Sequence, residues 1–195
     1  MSSQGCVLSV GRGCGDGTVA AVSPKLEFIV QAYIARFRAN SDEELGSFRS
    51  ERTVASAIER AGLATAPNGK RYHHQRRLPR GLLKQVALSL KKAGLERSRN
   101  FDELHDRISK AIGSFYGVGE LTVYDTSLRI GAKLGHLPKR VYLHCGTRVG
   151  AKALGFNWKA PFLEVSELPR ALQILKPHEI EDCLCIFKDR LGKAV

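Results

Sequence analysis

No stretch of this 195-residue chain approaches the roughly 18 consecutive apolar residues that a membrane-spanning helix needs. The apolar piece Cys6 to Val10 is too short for the core of a signal peptide. The chain therefore reads as cytosolic, with no membrane partner expected. Its five cysteines, Cys6, Cys14, Cys145, Cys183 and Cys185, are odd in number and scattered, which argues against a disulfide framework and for reduced thiols. There is no Cys-x-x-Cys, and Cys183-Leu-Cys185 would place its two sulfurs on different sides of a helix. His73-His74 lies in a loop without matching cysteines, so no metal is expected. A Walker loop, a dinucleotide fingerprint following a strand and a Gly-x-Ser-x-Gly elbow are also missing, and no cofactor is expected.

Acidic residues are absent from two long segments, and what stands there instead is positive charge. Between Glu59 and Glu96 the nine charged residues are Arg60, Lys70, Arg71, Arg76, Arg77, Arg80, Lys84, Lys91 and Lys92. Between Asp125 and Glu164 the seven are Arg129, Lys133, Lys139, Arg140, Arg148, Lys152 and Lys159. These two segments hold sixteen of the 31 Lys and Arg residues, against 19 Asp and Glu in the whole chain, for a net charge of +12. Such a balance speaks about partners: nucleic acid, an anionic membrane or an acidic protein. The alternative is a solvated basic face without a partner.

Length and composition, 43% hydrophobic and 26% charged, fit one soluble globular domain. Residues 1–22 are rich in Gly, Ser and Val without periodicity and are expected to form a flexible tail, leaving 23–195 for the fold. Leu26, Ile29, Tyr33, Ile34 and Phe37 recur at helical spacing and predict a helix from Pro24 to about Ala39. Ser41-Asp-Glu-Glu44 fits a capping box opening a second helix to about Ala61. Further helices are predicted over Pro79–Ala93, from an Asn100 cap to about Gly113, from Glu120 through Leu134, from a Thr147 cap over Arg148–Leu154, and over Pro177–Leu191. The run Arg140–His144 suits a strand or a helix entry. The simplest architecture is all-α, a single helical bundle.

Between the predicted helices ending near Gly113 and starting at Glu120 lies Phe115-Tyr-Gly-Val-Gly119. Gly117 and Gly119 are free to take positive φ and carry no Cβ to keep another molecule away. With Val118 turned inward as a peg, the amides of Gly117, Val118 and Gly119 would join the first amides of the next helix in facing outward, at the positive end of its dipole. Such a corner suits a phosphate oxygen. Tyr116-Gly-Val-Gly-Glu-Leu-Thr122 resembles the helix-hairpin-helix DNA-binding motif over about Phe101 to Leu134. The resemblance implies that Gly117, Val118 and Gly119 hold a DNA backbone phosphate without reading sequence, in a protein of DNA repair or processing. Glu120 stands where that family often carries Pro, Arg or Lys. Gly146-Thr-Arg-Val-Gly150 echoes the same design without its first glycine, and Arg148 and Lys152, one turn apart, would offer a second phosphate-sized site.

Asp125-Thr-Ser-Leu-Arg129 is similar to the run that carries the aspartate of the helix-hairpin-helix DNA glycosylases. That likeness implies a catalytic role for Asp125, stabilising charge at a sugar carbon or orienting water at a flipped-out nucleotide, with Tyr142, His144, Cys145 and Lys152 as neighbours. Leu121 occupies the place of that family's lyase lysine. Read on its own, Asp125 with Arg129 is an i, i+4 ion pair. The loop Lys70-Arg-Tyr-His-His-Gln-Arg-Arg77 combines cations with rings suited to stacking on an exposed base. Together these features predict a DNA-binding protein using Gly117–Gly119, Lys70, Arg71, Arg76, Arg77, Lys133, Arg140, Arg148 and Lys152. The rivals are a glycosylase-like enzyme and a regulator or toxin component docking on an acidic protein.

Overall fold

The computed structural model describes residues 24–192, and the segment expected to form a flexible tail lies outside the described residues. Helix α1 (Pro24–Arg36) buries Leu26, Ile29, Val30 and Tyr33 on one stripe. The chain turns at Phe37 and resumes as α2 (Arg38–Arg49). Ser41 does not cap a helix as expected. Its amide already donates to the Phe37 carbonyl at 3.1 Å, so it sits inside α2. The second expected helix also divides. At Thr53 a new capping box forms, in which Thr53 Oγ1 accepts from the Ser56 amide at 3.0 Å and Ser56 Oγ accepts from the Thr53 amide at 3.2 Å. This starts α3 (Val54–Gly62).

Helix α4 (Arg80–Lys92) stops before Gly94, which adopts a left-handed conformation, and α5 (Phe101–Ile112) is capped by Asn100 as its sequence predicts. Next come α6 (Glu120–Leu134) and a two-residue strand β1 (Val141–Tyr142). Strand β1 pairs antiparallel with β2 (Phe162–Leu163), so the 140–144 segment holds a two-residue strand and then enters the next helix at its N-cap, His144. Helix α7 (Cys145–Ala153) begins earlier than its predicted Thr147 cap, because Thr147 Oγ1 reaches back to the His144 amide at 3.0 Å from within the first turn. Short α8 (Arg170–Gln173) leads to α9 (Pro177–Ile186), and a turn at Phe187 separates it from α10 (Lys188–Leu191). The domain is all-α apart from the small ribbon, and no helix among the described residues is long and apolar enough to cross a membrane.

Apolar side chains gather in two cores. One, made by α2 to α6, is centred on Phe48, Leu90, Leu104, Ile108, Ile112 and Ile130. The other joins α1 to the ribbon and the C-terminal helices through Tyr33, Val141, Leu172, Ile180, Leu184 and Leu191. Each of these side chains removes enough apolar surface from water to contribute about 1.5–3 kcal/mol. The first helix of the chain thus packs with the last ones, and the middle of the sequence forms the other half.

Gly146 and Gly150 do not form a second phosphate-binding corner. Both lie in α7, where a Cβ at Gly150 would overlap the Leu184 carbonyl and one at Gly146 would overlap Cys185 Sγ, so Gly150 lets α7 lie against the backbone of α9 and Gly146 leaves room for the Cys185 side chain. Gly150→Ala is therefore expected to lower stability by about 1–3 kcal/mol through overpacking. Gly46, inside α2 with nothing within 4 Å of a built Cβ, provides the contrast. Gly46→Ala is expected to raise stability by about 0.5–1 kcal/mol from helix propensity alone. Urea denaturation of the two variants checks both signs.

Candidate functional site

Helix α5 ends at Ile112 with Gly113 as its C-cap, and two turns close the corner: the Phe115 amide donates to the Ile112 carbonyl at 3.1 Å and the Val118 amide to the Phe115 carbonyl at 2.9 Å. Gly117 alone takes positive φ, at +91°, where a side chain would be strained. Gly119 is extended at φ −99° and N-caps α6 without a side-chain bond. Of the two glycines free to take positive φ only Gly117 does so, and the expectation of three outward amides is corrected, because the Val118 amide is used inside the turn. Val118 is the inward peg, 9% exposed, while Tyr116 stands 99% exposed at the tip. The first intrahelical bond of α6 runs from Val123 to the Gly119 carbonyl at 3.1 Å, so the amides of Glu120, Leu121 and Thr122 have no helical acceptor. A Cβ on Gly119 would meet open space.

The carboxylate of Glu120 is countered. Arg148 places its Nη2 3.2 and 3.3 Å from the two Glu120 oxygens, while Nη1 donates to the carbonyls of Trp158 and Ala160 at 3.0 and 3.2 Å. A guanidinium from α7 thus stands at the start of α6. Nothing in the local pattern around Gly117 signals this, since the partners are 28 residues apart.

The loop from Leu63 to Pro79 is built around a Thr65–Arg71 bridge, with Asn68 Oδ1 accepting the Lys70 amide at 3.0 Å and Gly69 left-handed. The Arg71 guanidinium donates to the Leu78 carbonyl and closes the loop on itself. A groove of about 510 Å³ runs along it, lined by Lys70, Arg71, Arg76, Arg80 and Lys84, and no carboxylate is among the described residues that line it. Leu78 and Leu82, at the end of the loop and the start of α4, reach within 3.7 and 3.6 Å of where a Gly117 Cβ would be. The basic loop and the glycine corner therefore abut. Tyr72, expected as a stacking ring, is not available for that purpose: the Arg129 guanidinium lies 3.8 Å over its face.

The other expected cations are placed differently. Lys133, at the far end of α6 and roughly 20 Å along the helix from Glu120 at 1.5 Å per residue, donates to the Arg49 and Glu51 carbonyls at and just after the end of α2. It is not part of the corner. Arg140 binds Asp102 and stacks 4.0 Å over Phe162, and Lys152 sits 5.5 Å from the Trp158 ring centre. Arg140 and Arg148, with Val118, Gly119 and Glu120, line a cavity of about 610 Å³ whose walls are His105, Tyr124, Tyr142, His144 and Phe162. Burial raises the phenol of Tyr124 well above its ordinary value and pushes the His105 imidazole down toward its neutral form. Burial alone would raise Asp102, but hydrogen bonds from Tyr142 and Arg140 outweigh it and hold the carboxyl below its usual range.

Asp125 lies on another face of α6, in a smaller cavity of about 210 Å³ at the junction of the two cores, with Glu44, Arg129, Glu181 and Asp182. It accepts from Gln75 Nε2 at 2.5 Å and stands 3.7 Å from Arg129 Nη2. The i, i+4 pair is thus present but loose, for Arg129 makes its close ion pair with Glu44 at 2.7 Å. Leu121 lines the same cavity, whereas Tyr142 and His144 line the aromatic one and Cys145 is exposed, so the expected neighbours of Asp125 are not gathered around it. His144 Nε2 instead faces Glu181 Oε1 at 2.8 Å. Glu44, Gln75, Glu181 and Asp182 were not legible as site residues, because they come from three separate segments that meet only in the folded chain. No group of three or more His, Cys, Asp or Glu among the described residues is arranged to hold a metal. No family model, curated protein or solved structure matches this chain.

Burial, reinforced by the neighbouring Glu181, pushes Asp182 up to about 8, and Tyr33 donates to its Oδ2 at 3.2 Å. An unfolded aspartate titrates near 4, so the folded state holds a proton that the unfolded state has released over about pH 4 to 8. The contribution of Asp182 to stability is therefore expected to fall as pH rises through that window. Asp182→Asn keeps the acceptor and removes the titration. The stability difference between variant and wild type, measured by denaturation at a series of pH values, is expected to grow in favour of the variant from pH 4 to 8 and then level off.

Proposed function

We propose that the protein binds DNA through its phosphate backbone, with the Gly-Val-Gly corner as the point of closest approach. The observation that carries this reading is the corner itself, where Gly119 stands open beside α6 amides without helical acceptors and the Arg148 guanidinium, while the end of the acid-free basic loop packs against Gly117 through Leu78. Three free amides at the start of α6 offer donors to a phosphate oxygen, and the helix dipole favours negative charge there. Arg148 removes the objection that Glu120 would repel a phosphate, because it is already paired with that carboxylate. The likeness of Tyr116–Thr122 to the helix-hairpin-helix motif points the same way. Exposed Arg76 and Arg77 supply backbone contacts without base readout.

Titration of a short duplex at several salt concentrations tests the proposal. Each phosphate neutralised contributes about 0.9 to the slope of log K against log salt, so Arg76→Ala and Arg77→Ala are each expected to reduce the slope by about one unit. Gly119→Ala is expected to weaken binding without lowering thermal stability, since its Cβ meets no protein atom and its φ is ordinary. Absence of salt-dependent duplex binding at low salt overturns the reading and leaves the acidic-protein partner.

A second reading rests on Asp125: its placement in a cavity between the two cores, held by Gln75, suits a carboxylate that acts on a DNA nucleotide as the glycosylase likeness implies. Duplexes carrying abasic, uracil or alkylated sites, assayed for strand scission after alkali, are expected to be cut by wild type and spared by Asp125→Asn. Equal cleavage by the two proteins removes Asp125 from any mechanism.

A further inference from the structure

Lys70, Arg76, Arg80 and Lys84 stand exposed along the groove of about 510 Å³, and no carboxylate is among the described residues that line it. None of these four side chains has an ion pair or a hydrogen bond among the described residues. Other cations nearby are neutralised: Lys91, farther along α4, meets Glu59 at 2.9 Å, and Arg140 and Arg148 each hold an acid. Unpaired cations around one concavity repel one another, and an anion placed among them relieves that repulsion.

The groove and the glycine corner lie on opposite flanks of α4. At 3.6 residues per turn, side chains seven apart point about the same way and side chains two apart about 200° from each other. Leu82, which meets Gly117, shares its flank with Ser89, whose hydroxyl donates to the Ala111 carbonyl of α5 at 2.8 Å. Arg80 shares its flank with Ala87, which Gly62 of α3 approaches so closely that a Cβ on the glycine would overlap it. Lys84 follows Arg80 by one turn. The corner is therefore on the α5 side of α4 and the groove on the α3 side, with a helix about 10 Å across between them. The floor of the groove is Leu83, 3% exposed, with Leu63 and Thr65 half-buried. A docked peptide would find little apolar surface there for an anchoring side chain. Guanidinium forks and ammonium heads over such a floor suit a chain of phosphates instead.

We propose that this groove is a second phosphate-backbone site, holding a DNA segment other than the one at the corner, so that one chain joins two duplexes. The inference rests on the reading of the corner as a DNA site and adds Arg80 and Lys84, which the corner does not use.

The test gives the full chain an excess of a labelled short duplex at low salt and measures, by sedimentation, the chains and duplexes in each complex. Joining is read separately as energy transfer between donor-labelled and acceptor-labelled duplexes. Two duplexes per single chain, with transfer, are expected. The double variant Arg80→Glu with Lys84→Glu, at exposed positions, is expected to keep its thermal midpoint, to bind one duplex and to lose the transfer. Two duplexes per chain in the variant as well, or transfer from complexes that hold one duplex per chain, overturns the proposal. So does tighter binding of a polyglutamate peptide than of duplex at the groove, which would assign the surface to an acidic protein. The two readings fail differently. A single duplex that Gly119→Ala weakens and the double variant does not removes the groove alone. A single duplex lost in the double variant and untouched by Gly119→Ala removes the corner, and the joining with it.

Discussion

The buried guanidinium of Arg129 is the contact on which the arrangement of the basic face depends. Its side chain, on α6, is 5% exposed. Removing such a charge from water costs several kcal/mol, offset only when good partners surround it. Here Glu44 from α2 accepts at 2.7 Å, Gln75 from the loop accepts at 3.4 Å, Asp125 stands one turn away, and the ring of Tyr72 lies beneath. Gln75 also donates to Asp125, so one amide bridges a cation and an anion. Two loop residues are thereby fastened to α6. Since α6 begins at the glycine corner, the same helix orients both the corner and the loop.

The packing also sorts charge by sign. Carboxylates of Glu44, Asp125, Glu181 and Asp182 collect at the junction of the two cores, while many of the cations lie in the loop, along α4 and at the rim of the aromatic cavity. Burial raises the proton affinity of Glu181 and Asp182, which lessens the negative charge they carry. The outer surface consequently has less opposing charge than a net of +12 spread evenly would suggest. Where acids do come to the surface near the corner, as Asp102 and Glu120 do, each is held by an arginine of the 125–164 segment.

Much of the helical pattern was readable in the chain. The Asn100 cap, the stop at Gly94, the start of α6 at Glu120 and the inward turn of Val118 follow from local chemistry, and the structure has each of them. The errors have local causes too. The spacing of Ser41 to Glu44 fits a cap, but a turn at Phe37 restarts the helix before it. Arg148-Val-Gly150 echoes the glycine corner in sequence, whereas in the fold Gly150 lets α7 approach the backbone of α9.

By itself the sequence determined an all-α domain, a bare glycine corner between two helices, and two stretches of cation without acid, since each of these depends on neighbours within a few residues. Only the tertiary structure decided that Arg148 neutralises Glu120, that Tyr72 lies under Arg129, that Lys133 closes the end of α2, and that His144 and Tyr124 share a cavity. Those outcomes join residues tens of positions apart. They depend on which helix faces which, and that is settled by packing around two cores rather than by any pattern along the chain.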